Sequence, residues 1–176
     1  MYTGNVADEK TVLGLLGPKS DSLAYKVNEI EKHFHNTSIC YGQTAGGNEV
    51  EADSLLPFEA VAGVTPDFGV EKLITAGGVI GGGSATKKQD PDHIFIYTVD
   101  KADKLYILQF YYGTGIFGAA TLWSSLYFKG PATGRSSSIA VVFPRIACNN
   151  KIWAKCKCET SGGLINFLLR VHVYDA

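Results

Sequence analysis

The stretch Lys151-Ile152-Trp153-Ala154-Lys155-Cys156-Lys157-Cys158 decides the fold. Ile152, Ala154, Cys156 and Cys158 fall on one face, and Trp153, Lys155 and Lys157 on the other. A repeat of two is that of a β-strand, whose successive side chains point to opposite sides of a sheet. The small apolar set is expected in a core. The opposite set places an indole among lysines, which marks an interface or a covered sheet face. Trp153, Lys155 and Lys157 are therefore candidate surface-contact residues.

Working outward, seven more runs have strand character, each ended by turn residues: Phe58–Ala62, Val70–Thr75, His93–Val99, Leu105–Tyr112, Leu122–Phe128, Ser138–Phe143 and Leu164–Tyr174. Eight short strands between Gly-, Pro- and Asp-rich turns predict a mainly β chain, an antiparallel β-sandwich or a barrel. Leu105–Tyr112 and Ile165–Val173 are apolar on both faces, as strands in the middle of a covered sheet would be. Residues 76–86, rich in glycine, read as a mobile loop.

A different period governs the N-terminus. Leu13, Leu16, Ser20, Leu23, Val27, Ile30 and Phe34 are spaced by threes and fours, the repeat of a helix-on-helix seam. Gly17-Pro18 interrupts it, so a helix is predicted from about Pro18 to Phe34, capped by Ser20 or Asp21. A helix this short is marginal alone in water and needs a partner surface. Leu16, Leu23, Val27, Ile30 and Phe34 are the candidate anchoring and self-association residues. The expected division is an arm and helix over 1–41, a linker over 42–54 and a β-sandwich domain over 55–176.

Charge is unevenly spread. Residues 1–103 hold fifteen acidic and eight basic side chains, whereas residues 104–158 hold seven basic and no acidic ones. Such asymmetry points to internal complementarity or to docking on an acidic partner. Seven cations over that stretch is a thin footprint for nucleic acid, and none is expected as a partner. Met1–Lys10 carries Asp8 and Glu9 and lacks the apolar core of a secretory leader. No apolar run approaches the ~18 residues that cross a bilayer. The expectation is a protein made in a cytoplasm, with no membrane partner.

Motifs for catalysis or cofactors fail on their chemistry. Gly113-Thr-Gly115-Ile-Phe-Gly118 has dinucleotide-loop spacing, but no acidic residue follows before Glu159 to hold a ribose. Turn glycines explain it. Gly81-Gly-Gly83-Ser84 lacks the Lys-Ser/Thr ending of a phosphate loop. His33, His35, His93 and His172 show no metal-ligand spacing, and Asp90-Pro91-Asp92 reads as a turn with too few oxygens for calcium. Cys40, Cys148, Cys156 and Cys158 are expected as free, mostly buried thiols, since Cys156 and Cys158 share a strand face in poor geometry for a bridge. No cofactor, metal or enzyme activity is expected.

Pro57-Phe-Glu-Ala-Val-Ala-Gly63, Phe143-Pro-Arg-Ile-Ala-Cys-Asn-Asn-Lys-Ile-Trp-Ala-Lys155 and Phe167-Leu-Leu-Arg-Val-His-Val-Tyr-Asp175 resemble structural proteins of tailed phages. The pattern over 55–175 is similar to small capsid decoration or head-fibre proteins with a β-sandwich, jelly-roll-like domain behind an N-terminal arm. The resemblance implies a virion protein that self-associates as a homotrimer and binds the major capsid protein or another virion protein. The alternative is a tail-fibre or adhesin domain that binds a host-surface glycan, with Trp153, Tyr111 or Trp123 stacking on sugar rings.

Overall fold

The computed structural model describes residues 39–43, 49–51, 57–64, 67–75, 80–132 and 135–174. The predicted helix and its seam, Leu16, Leu23, Val27, Ile30 and Phe34, lie outside these residues. So does most of the predicted linker.

The described chain is mainly β. In order come β1 (Ile39–Gln43), β2 (Glu49–Glu51), β3 (Phe58–Val61), β4 (Lys72–Thr75), β5 (Lys88–Val99) and β6 (Leu105–Gly113). They are followed by β7 (Thr121–Lys129), β8 (Ser137–Ala140), β9 (Ile146–Ala147), β10 (Lys151–Cys158) and β11 (Leu164–Tyr174). A seven-stranded sheet runs β2-β1-β11-β5-β8, with β3 also on β11 and β9 also on β5; a four-stranded sheet runs β4-β10-β6-β7. Every strand pair is antiparallel.

Both sheets feed one apolar core. From β11 come Ile165, Phe167, Leu169 and Val171, all fully buried. From β10 come Ile152, Ala154, Cys156 and Cys158, the face that alternation assigned to the core. The Phe167 ring meets Phe58 of its own sheet and, edge-on at 5.8 Å, Phe110 of the other. Phe143, in the segment after β8, extends this chain of rings to Trp123. The Trp123 indole N–H donates to the Pro144 carbonyl at 2.7 Å, so its one polar atom is satisfied while its ring is buried. The strands read as central, β6 and β11, are central: β10 and β7 flank β6, and β5 flanks β11 opposite β1 and β3.

Several boundaries differ from expectation. Ile39–Gln43, expected in the arm and the start of the linker, pairs with β11, and Glu49–Glu51 pairs with β1. Both segments are short and polar or Gly-bearing, so only the edges offered by β11 and then by β1 show them as strands. β5 begins five residues before the predicted run and takes in Asp90-Pro91-Asp92, which reads locally as a turn. Pro91 stands opposite Val171 and His93 opposite Arg170, leaving Asp92 as the extra residue of a bulge. A bulge is where a strand tolerates proline's missing N–H. Within the expected mobile loop, Ile80 begins a 3-10 turn and is buried at 1% exposure, pinned by the core.

At one corner the chain passes from the large sheet to the small one. Ala62 bridges to Cys156, and the Gly69 N–H donates to the Cys156 carbonyl at 2.9 Å. A Cβ at Gly69 would lie 1.8 Å from the Val61 carbonyl oxygen, so only glycine fits this close approach.

Candidate docking surface

The outer face of the small sheet gathers the residues singled out from the sequence. Strand register sets them in rows: Leu73, Trp153, Tyr111 and Leu122 across β4, β10, β6 and β7; then Lys155, Gln109 and Ser125; then Lys157, Ile107 and Tyr127. A one-residue slip between Phe110 and Tyr111 leaves Trp123 unpaired on β7. Trp123 joins the core cluster, while Leu122 stays exposed.

Trp153 stands outside the core cluster, as alternation predicted, yet it is only 6% exposed. Its cover is Phe117. The Gly113–Gly118 motif is the β6–β7 turn, closed by a 3-10 segment at Phe117–Ala119 in which the Ala120 N–H reaches the Phe117 carbonyl at 2.8 Å. That turn sets the Phe117 ring edge-on to Trp153 at 6.0 Å and to Tyr111 at 5.1 Å. Phe117 was not among the sequence candidates. Its signal, an aromatic two residues past a turn glycine, points nowhere until β6 and β10 are known to be neighbours.

The lysines lie over this aromatic layer. The Lys155 ammonium is 5.7 Å from the Phe117 ring centre, and that of Lys157 is 5.7 Å from Phe68. Neither pairs with a carboxylate among the described residues, whereas rim lysines do: Lys104 with Glu159 at 3.6 Å and Lys129 with Asp103 at 3.3 Å. Tyr111 donates to Gln109 at 2.8 Å, and Gln109 donates to Ser125 at 3.3 Å. Burial pushes the Tyr111 phenol up, which keeps it a donor. Tyr127, Leu122 and Leu73 are exposed around the layer. An aromatic patch with two ammonium groups unpaired among the described residues suits contact with an acidic, partly apolar surface. Trp123 shares Trp153's 6% exposure and Tyr111 is half-buried, so neither indole offers an open face for a sugar ring.

The acid-poor region 104–158 does not form one basic stripe. Arg145 lies elsewhere, its guanidinium 3.7 Å above the Tyr174 ring beside the large sheet.

That sheet's outer face carries a second polar cluster. Arg170 forks onto Asp92 with contacts of 2.7, 2.9 and 3.0 Å. His93 and His172 approach the same carboxylate at 3.3 and 3.4 Å, and Tyr174 donates to Asp90 at 3.0 Å. Burial alone would raise the Asp92 pKa. Hydrogen bonds from Arg170 and His93, with the charges of His172 and Arg170, outweigh it and hold the carboxyl below its ordinary value. Asp92 is thus an ionised anchor, the opposite of a catalytic acid tuned to donate near neutral pH. Cys40, near Arg170, is pushed up by burial, which Arg170 only partly opposes. Its thiol is poorly ionised.

Among the described residues no trio of His, Cys, Asp or Glu is placed to hold a metal, and no helix is long and apolar enough to cross a membrane. No protein-family model matches the chain, nor does any curated protein sequence.

Proposed function

We propose that this chain is a structural protein of a virus particle, a capsid decoration or head-fibre subunit. In this reading it binds other protein surfaces, self-associates as a homotrimer and performs no catalysis. Its two sheets are read as a β-sandwich of jelly-roll-like type, supported by the edge-on Phe110–Phe167 contact from one sheet to the other. The observation that carries the docking role is the outer face of the small sheet, where Lys155 and Lys157 lie over the Phe117 and Phe68 rings with no carboxylate partner among the described residues. An anchored cation loses little side-chain freedom on binding, so more of its attraction to an acidic surface survives as affinity. Leu16, Leu23, Val27, Ile30 and Phe34 are assigned to self-association and anchoring.

Co-sedimentation of the purified chain with capsid shells that lack it tests the reading. Lys155→Glu with Lys157→Glu should weaken shell binding at least tenfold, and added salt should weaken the wild-type protein in the same direction. Wild-type chain that stays in the supernatant at every ionic strength would sink the proposal.

A further inference from the structure

Among the described residues six strands end the two sheets: β2, β3, β8 and β9 on the large one, β4 and β7 on the small one. Edge strands in soluble monomers are kept short, charged or interrupted, because their unpaired N–H and C=O groups are a template for another strand. Five of the six obey. β2 is three residues with Glu49 and Glu51, β9 is two residues, β4 is four residues beginning at Lys72, and β3 and β8 are four residues each. β7 does not. It runs for nine residues with Lys129 as its only charge, and that ammonium is engaged by Asp103 at 3.3 Å. Its one irregularity, the slip at Trp123, leaves Ser124–Lys129 in unbroken register with β6. Leu122 and Tyr127 on it are 49% and 70% exposed.

We infer that β7 pairs with β7 of a second copy of this chain, antiparallel across a two-fold axis near Ser125, joining two four-stranded sheets into one of eight. Charge selects this occupant. An edge with no charge from Thr121 to Phe128 gains nothing from an acidic or basic peptide strand, but meets its own copy without repulsion. With the axis at Ser125, Lys129 of one copy falls opposite Thr121 of the other, so the two lone cations stay apart. A two-fold contact also closes on itself, consuming the edge instead of leaving it to propagate into fibres. The inference stands independently of any role in a virus particle.

Full-length wild-type chain, Ser125→Glu and Ser125→Cys are the test. Ser125 sits in the row of Gln109 and Lys155, so a glutamate there is tolerated by a single copy. In the paired edge two carboxylates would face each other. Sedimentation should show the Ser125→Glu particle at half the wild-type mass, one homotrimer in place of two joined edge to edge or one chain in place of a pair, with unchanged circular dichroism. Under mild oxidant Ser125→Cys should give a disulfide-linked pair of chains, since opposed residues of antiparallel strands lie about 4.5–5.5 Å apart, within the range a disulfide spans. Wild-type protein and a Tyr97→Cys control, exposed on the other sheet, should not crosslink. The inference is overturned by a Ser125→Glu particle of wild-type mass, by a Ser125→Cys chain that stays uncrosslinked, or by a control that crosslinks equally fast.

Discussion

Phe167→Ala is the sharpest probe of how the two sheets hold together. The ring is fully buried, packs on Phe58 within its sheet and meets Phe110 of the other sheet edge-on at 5.8 Å. Removing a buried phenyl costs roughly 3–5 kcal/mol, because the transfer energy of the ring is lost and the surroundings refill the void only in part. With a urea dependence of about 2 kcal/mol per molar for a domain of this size, the unfolding midpoint should fall by roughly 1.5–2.5 M. The chain's two tryptophans, Trp123 and Trp153, both lie on the small sheet, so fluorescence follows the β unit irrespective of the N-terminal residues. Phe110→Ala alone should lose a similar amount. The double variant should lose about 0.5–1.5 kcal/mol less than the sum, the worth of an edge-on aromatic pair. A Phe167→Ala loss below about 1 kcal/mol, additive with Phe110→Ala, would falsify the claim that one core joins the sheets.

Other outcomes follow from local chemistry. Because the Asp92 pKa is held below its ordinary 3.8, the carboxylate contributes stability at neutral pH that disappears as pH falls through the lowered value. Asp92→Asn should therefore be less stable than wild type at pH 7, with the gap closing as pH falls through the lowered value, read from urea midpoints at neutral and acid pH. An aromatic-disulfide thiol assay on native protein should find Cys148, Cys156 and Cys158 shielded and Cys40 slow, with all four reacting in denaturant. Burial, foremost, pushes the Cys156 thiol up to about 12, so raising pH to 9 should not expose it. Gly69→Ala should destabilise by more than ~2 kcal/mol, since a methyl cannot coexist with the Val61 carbonyl oxygen without moving backbone. Differential scanning calorimetry reads it.

Local pattern carried far on the strands of the core. Strand character ended by turn residues located β10 and β11 to the residue, and alternation named Ile152, Ala154, Cys156 and Cys158 as one buried face. The reason is physical: a side chain's face in a strand depends only on its parity, and a half-buried sheet writes that parity into the sequence. It also put Trp153 on the opposite face and explained Gly113–Gly118 as a turn, because turn chemistry is set within a few residues.

Tertiary structure decided the rest. Whether Trp153 is bare or covered depends on Phe117, thirty-six positions earlier, and on β6 lying beside β10. Asp90-Pro91-Asp92 has every local mark of a turn, yet β11 draws it into a strand because the bulge at Asp92 accommodates Pro91 and Arg170 neutralises the carboxylate. β1 shows as a strand because β11 offers an edge to pair with, and β2 because β1 does. Parity and turn chemistry are local and survive in one dimension. Cover, charge pairing and the identity of the open edge arise between distant segments, so the chain alone could not display them.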